Sequence, residues 1–364
     1  MSKLFSPFKI GELEIKNRFV RSATTSYWSN DDEGILTDPI IDHYTKLAQG
    51  DIGLIIKGHS YVSEKGKAHS HQSGLSDDKH IPRMKELTEI VHSYSSRIIA
   101  QLNHGGYTSK PDRATASTYK TERWEARELS IQELEEIIED FTAAAINAMK
   151  AGFDGVQIHA AHGYLNSQFL SDIVNKRTDE YGGSIEKRAT LLIRIYESIR
   201  KVLGSNAVIG VKINCDDFAE DGGVYVEDTI FVLSELHKRG LSFAEISGGG
   251  PEQKSTIRKQ RGRATKESGY SEATWAGHVK KIRENIPELP LIIVDGIRSR
   301  KTMDSLLDNN VADLISLSKP FINEPNLVQL LKDGQEKASC IDCLKCLSRE
   351  NFGKTMLRCF HKYP

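Results

Sequence analysis

Two histidines and a tyrosine crowd the run Gln157-Ile158-His159-Ala160-Ala161-His162-Gly163-Tyr164. The ring N–H groups of His159 and His162 can donate to one developing oxyanion. A neutral phenol such as Tyr164, with an ordinary pKa of about 10, can release a proton at neutral pH beside a forming carbanion. The same spacing suits a histidine pair that caps a strand end and a helix start, or a pair of metal ligands. No nearby carboxylate completes a metal triad, however.

A second chemical signal lies at the C-terminus. Cys340-x2-Cys343-x2-Cys346-x12-Cys359 places three thiols in one tight loop, with a fourth brought back by a turn near Gly353, while Cys215 stands alone. In a reducing compartment such a cluster points to metal rather than disulfides. Thiolate-only ligation suits a [4Fe–4S] cluster first, structural zinc second, and free thiols third.

Eight apolar runs recur along the chain and read as strands buried on both faces: Phe19–Ala23, Ile52–Gly58, Arg97–Leu102, Asp154–Ala160, Val208–Asn214, Phe243–Gly248, Leu291–Gly296 and Asp313–Ser318. Helix-like stretches separate most of them. The clearest is Ser130–Ala151, where Ser130 and Glu133 form a capping-box pattern and Gly152 supplies a stop. Strands alternating with helices, and no early strand–GxGxxG–helix unit, predict an α/β fold of the (β/α)8 barrel type. Chemistry in such a barrel sits at the C-terminal strand ends. That rule nominates Ala23, Thr24 and Thr25, Gly58 and His59, Gln101 to His104, His159 to Tyr164, Lys212 to Asn214, Ser247 to Gly250, Asp295 to Arg298, and Ser318 with Lys319. The expected organisation is a barrel over residues 1–336 followed by a cysteine-rich, metal-binding tail over 337–364.

Composition narrows the function classes. The 364 residues are 38% hydrophobic and 27% charged, with a formal net charge of −1. No basic field exists for nucleic acid or anionic lipid, so the implied partner is a small molecule. The N-terminus lacks the apolar run of a signal peptide, and no stretch approaches the roughly 18 apolar residues of a membrane helix. A cytoplasmic protein is expected.

The segment HAAHGYLNSQFLSDIVNKRTDEYGGSIEKR, residues His159–Arg188, resembles the signature of the Old Yellow Enzyme family of FMN-dependent ene-reductases. The opening LFSPFKIGELEIKNRFVRSA, Leu4–Ala23, is similar to that family's N-terminal segment, and the resemblance runs through essentially the whole chain. The tail extends it toward the branch that includes 2,4-dienoyl-CoA reductase, 2-enoate reductase and trimethylamine dehydrogenase, whose last member has a similar cysteine spacing. The resemblance implies FMN, with NADH or NADPH as reductant and an activated alkene as substrate. His159 and His162 would hold the carbonyl oxygen, and Tyr164 would protonate the α carbon. Thr25 would bond the flavin O4, Gln101 the pyrimidine edge, and Gly58 or His59 would offer a backbone amide, with Ala23 and Thr24 alongside. Tyr27 would line the substrate side.

Two features depart from the family pattern. Lys212 stands where better-known members have arginine; it could still place a cation beside flavin N1 and O2. A charge at the inner end of a buried strand also needs a partner. Ser318-Lys319 replaces Gly-Arg at the phosphate site, where Asp295, Gly296, Ser318 and Lys319 follow the last two strands and Gly248-Gly249-Gly250 follows the sixth. Asn175, Arg177, Asp179, Tyr181, Gly182 and Gly183 are expected to fix a loop rather than to catalyse. Relatives of the cluster-bearing branch carry a second flavin or dinucleotide region after the cluster, and this sequence stops at Pro364. A cluster here is expected to exchange electrons with a partner protein, or to pin the tail. An electron-transfer dehydrogenase is therefore the alternative to an ene-reductase, and the family's habit allows a homo-oligomer.

Overall fold

A computed structural model of the chain describes residues 2–27, 29–30, 33–219, 221–249, 269, 271–348, 350–351 and 356–362. Gly250 and Gly353 lie outside them. Eight parallel strands close into a barrel: β1 (Phe19–Arg21), β2 (Leu54–Tyr61), β3 (Arg97–Asn103), β4 (Val156–Ala160), β5 (Ile209–Asn214), β6 (Phe243–Ser247), β7 (Leu291–Val294) and β8 (Leu314–Leu317). Each pairs in parallel with its sequence neighbours, and β8 pairs with β1 to complete the ring. The main helices after the strands are α1 (Asp38–Gln49), α2 (Ile81–Ser93), α3 (Ile131–Lys150), α4 (Thr190–Leu203), α5 (Val226–Lys238), α6 (Ala276–Asn285), α7 (Arg300–Asp308) and α8 (Leu327–Lys332). The (β/α)8 expectation is met, with all eight apolar runs in the barrel wall.

Local sequence explains why α3 begins and ends where it does. Ser130 accepts from the Glu133 amide at 3.3 Å, and the Glu133 carboxylate accepts from the Ser130 amide at 2.8 Å. The reciprocal bonds satisfy two donors that a helix start leaves open. Leu134, Ile137, Ile138, Phe141, Ala145 and Ala148 are all buried beneath it. Gly152, at φ +82°, then turns the chain in a conformation that other residues resist.

The barrel interior is layered. At the bottom, an antiparallel hairpin of Phe8–Ile10 and Leu13–Ile15 plugs the opening, its Ile10 and Ile15 packing with Val20, Leu54, Ile56, Ile99, Phe243, Ile292 and Leu314. Gly210 admits the Phe243 ring, since a Cβ there would lie 2.1 Å from the ring tip. Above this apolar floor comes a polar layer, and above that the mouth, at the C-terminal ends of the strands. No helix among the described residues is long and apolar enough to cross a membrane.

Candidate functional site

The polar layer is one connected network. Lys212 of β5 and Glu245 of β6 are register partners, and their side chains pair at 3.2 Å while both are almost fully buried. Glu245 also accepts from the Ser22 hydroxyl at 2.7 Å, the Ser316 hydroxyl at 2.8 Å and Gln157 Nε2 at 3.1 Å. Lys212 Nζ donates to Ser22 Oγ at 2.8 Å, and Gln101 Nε2 donates to Gln157 Oε1 at 2.6 Å. Burial opposes the charge on Glu245, but Lys212 and the donors from Ser22, Ser316 and Gln157 outweigh it and hold the carboxyl below its usual range. The partner that a buried Lys212 requires is therefore Glu245. It is the one charged residue of the run Phe243–Ser247, and a carboxylate inside a buried strand was the signal that could have found it.

The mouth gathers the predicted histidines. His159 and His162 lie edge to face with ring centroids 5.2 Å apart, and the Tyr164 ring is 4.9 Å from that of His159. The Ala161 amide reaches His159 Nδ1 at 3.4 Å, so the Nε2 nitrogen carries the proton in the neutral ring. His162 adopts φ +59°; its amide donates to Asn214 Oδ1 at 3.2 Å, and its Nε2 lies 2.7 Å from Ser247 Oγ. Burial, then the neighbours His162, His59 and Lys212, push the His159 pKa well down. Burial, reinforced by Tyr27, pushes that of Tyr164 up.

His59 sits on a register shift of β2 between Lys57 and Ser60, the kind of irregularity that re-aims a side chain. Its Nδ1 faces two amide nitrogens, Gln72 Nε2 at 3.1 Å and Asn103 Nδ2 at 3.0 Å. Its Nε2 proton therefore points to Thr25 Oγ1 at 2.8 Å. Burial and the surrounding His69, Lys57, His162 and Lys212 keep this ring neutral. The Gly58 amide already donates to the Tyr44 hydroxyl at 2.7 Å. Of the two backbone amides expected to face a flavin, that of Gly58 is thus already engaged. A Cβ on Gly58 would lie 2.5 Å from Thr24 O, which explains the glycine.

A cavity at the ends of β7 and β8 is lined by Asp295, Gly296, Arg298, Ser316, Ser318, Lys319, Cys340 and Asp342 among others. Asp295 and Gly296 take φ +88° and +74° in succession, and Thr24 Oγ1 lies 2.9 Å from Ser318 Oγ. Lys319 pairs with Asp342 at 2.8 Å and sits 3.8 Å from Asp295. Arg298 leans toward Glu272 at 3.8 Å. The Gly249 amide donates to Asp216 O at 3.0 Å. Gly248 instead gives Phe218 and Trp275 room, each 3.1 Å from where a Cβ would stand. The predicted loop residues form a clamp: Asn175 donates to Phe169 O and Tyr181 O, both at 2.7 Å, while Arg177 pairs with Asp179 at 2.6 Å and donates to Leu129 O at 2.7 Å.

The tail docks beside that cavity. Asn323 Nδ2 donates to Ser339 Oγ at 2.6 Å, and the Ser339 amide to Glu324 Oε2 at 2.7 Å. Cys340, Cys343, Cys346 and Cys359 line a single cavity with Lys319. Among the described residues, however, no three His, Cys, Asp or Glu side chains converge as a metal site. Burial, Cys340 and Cys343 raise the Cys346 thiol to about 11, against the pull of Lys319. Asp342 carried no sequence signal as a partner of Lys319.

The sequence profile of the NADH:flavin oxidoreductase / NADH oxidase family matches residues 3–338. The chain belongs to that family. Among curated members, it is 32% identical to the NADH oxidase of Thermoanaerobacter brockii over 98% of this chain. It spans only 55% of that relative's length. An NADPH dehydrogenase of Clostridium acetobutylicum is 30% identical over 90% of this chain and 93% of its own. In structure, an Old Yellow Enzyme homologue from Zymomonas mobilis matches with a TM-score of 0.76 and 26% identity, over 93% of this chain and 95% of that one. The family resemblance expected from the signature segment is thus established.

Proposed function

We propose that the protein is an FMN-dependent, NAD(P)H-linked ene-reductase that reduces the C=C bond of an α,β-unsaturated carbonyl, carboxylate or thioester. The carrying observation is the His159–Tyr164 pair standing over the Lys212–Glu245 layer at the barrel mouth. The donor set fits FMN in kind. A ring can be met by Gln101, Thr25, Lys212 and the His59 amide. A phosphate can be met by Lys319, Arg298, Ser318 and the backbone at Gly296, which together line one cavity apart from the ring residues. Bound FMN, once reduced by NADH or NADPH, would supply the hydride.

The chain's own residues do the rest. The Nε2 proton of His159, with His162 beside it, holds the substrate's carbonyl oxygen and stabilises the charge that builds there. Tyr164 gives its proton to the α carbon. Burial of the mouth excludes water, which keeps these hydrogen bonds strong.

The test splits the two half-reactions in anaerobic stopped-flow. Tyr164→Phe should leave flavin reduction by NAD(P)H intact and slow alkene reduction by roughly 10²–10⁴-fold, the usual worth of a general acid. Protein that carries no flavin, or a Tyr164→Phe enzyme as fast as the parent, would refute the proposal.

A second reading has one observation in its favour: four thiols around one cavity that adjoins the phosphate pocket. The number and type of donors suit a [4Fe–4S] cluster, or zinc, although the thiols do not converge on a common point. On this reading the enzyme passes electrons to a partner protein. Iron and zinc analysis of the same anaerobic preparation decides it: about four irons per chain supports a cluster, and zinc or no metal makes the tail structural.

A further inference from the structure

The hydroxyl of Tyr164 has a specific partner that the ene-reductase scheme does not use. His69 Nε2 lies 2.7 Å from it. His69 comes from the loop between β2 and α2, not from any strand end. Its ring also packs on Tyr27 and His59, with centroids 5.4 Å and 5.3 Å away.

The loop is built to hold it there. The Ala68 amide donates to Gln72 Oε1 at 2.7 Å, and Gln72 Nε2 reaches His59 Nδ1 at 3.1 Å. One glutamine thus ties both ends of the turn around His69 to the barrel mouth. A buried phenol that surrenders its proton leaves a phenolate that burial disfavours. It must also be recharged before the next turnover. The half-buried imidazole of His69 lies against that enclosed oxygen.

We propose that His69 is the proton relay of Tyr164, a positioning residue that orients the phenol and returns its proton. The role rests on the ene-reductase reading above. In the step, the Tyr164 O–H bond breaks as a C–H bond forms at the α carbon. The phenolate oxygen then takes the Nε2 proton of His69, and the ring takes up a proton from water in its place, so it stays neutral. The alkene gains one hydride from reduced FMN, which is oxidised, and one proton that originates in the solvent. With His69 Nε2–H donating to the tyrosine oxygen, the Tyr164 proton is directed away from His69 and is available to the substrate.

Two variants read by stopped-flow test the relay. His69→Gln keeps hydrogen-bonding capacity but cannot give up and regain a proton. His69→Ala leaves space for added imidazole. Flavin reduction by NAD(P)H and reoxidation by ferricyanide, which needs no α-carbon proton, should stay within about twofold of the parent in both. Reduction of an activated enone should slow roughly 10- to 100-fold, a fraction of what a general acid itself supplies. Imidazole should restore the His69→Ala rate, which a merely structural role would not allow. In flavin-free protein, ¹⁵N NMR should show the His69 Nε2 signal shift on Tyr164→Phe.

Three results would overturn the relay: an unchanged enone rate in His69→Gln, equal slowing of ferricyanide reoxidation, or no response of His69→Ala to imidazole. Failure of the underlying reading looks different. The parent itself would then be reduced by NAD(P)H yet reduce no activated alkene, and the relay would fall with it.

Discussion

Neutralising Glu245 should weaken the fold and raise the flavin potential together. In Glu245→Gln the amide oxygen can still accept from Ser22 or Ser316, so most hydrogen bonds survive while the counter-charge to Lys212 disappears. Both partners are buried, with side-chain exposures of 4% and 0%. Removing one member of such a pair strands a buried charge and costs about 3–5 kcal/mol. The uncovered cation also acts on the redox group. At an effective dielectric of about 20, one unit of charge several ångströms away is worth about 2 kcal/mol, or about 45 mV for a two-electron couple. The variant's flavin should therefore be easier to reduce by tens of millivolts. Lys212→Met should move the potential the opposite way, and the double variant should recover much of the lost stability. Urea midpoints and a dye-equilibrated potential titration measure both quantities. If Glu245→Gln changes neither, Lys212 and Glu245 are not a charged pair, and the account of the polar layer is wrong.

Asp342→Asn should tighten flavin binding about three- to tenfold, because Asp342 competes with a phosphate for Lys319 Nζ at 2.8 Å; the partial exposure of the carboxylate keeps the gain small. Flavin fluorescence titration of the flavin-free protein measures this, and weaker binding would show that Asp342 supports the site instead. Acid should destabilise the fold from about pH 6.5 downward. His59 and His159 are held neutral by burial, and His104 is lowered to about 4 by burial. Unfolded chains take up these protons and the native state does not, so stability is complete above the unfolded pKa of about 6.5 and is lost as pH falls below it. Each histidine contributes up to about 1.4 kcal/mol per pH unit, and a urea midpoint that stays flat from pH 7 to 5 would contradict the neutral assignment.

The barrel strands were legible because they are buried on two faces, which leaves an apolar run with little ambiguity of type. Their ends were less so. Phe19–Ala23 shortens to Phe19–Arg21, where the chain turns to bring Thr24 and Thr25 to the mouth, and Ile52–Gly58 runs on to Tyr61 through the register shift at Gly58 and His59. The small sheet of Ala114–Thr115, Tyr119–Lys120 and Glu125–Glu128 left no trace in the sequence, since strands of two to four residues show no period. His69 was invisible for a different reason. It stands in a loop, 95 positions from Tyr164, and only the folded turn at Ala68–Gln72 brings the two together. The cysteine spacing was plain, yet spacing fixes the order of the thiols and not their convergence.

The mouth and the layer beneath it handle charge in opposite ways. Below, Lys212 pairs with Glu245 at 3.2 Å and helps hold that carboxyl below its usual range. Above, burial drives the histidine pKa values down and the tyrosine pKa up, so His59, His159 and Tyr164 are all neutral donors across the physiological range. A neutral N–H makes an ordinary bond to an uncharged carbonyl and a stronger one to the oxyanion that forms from it. Such donors therefore favour the transition state over the ground state, which is what raises turnover rather than only affinity. An enoate would bring a full negative charge into a pocket whose imidazoles offer no cation. An enone or thioester brings none. Within the proposed substrate class, the electrostatics of the mouth favour the uncharged carbonyl compounds over the free carboxylates.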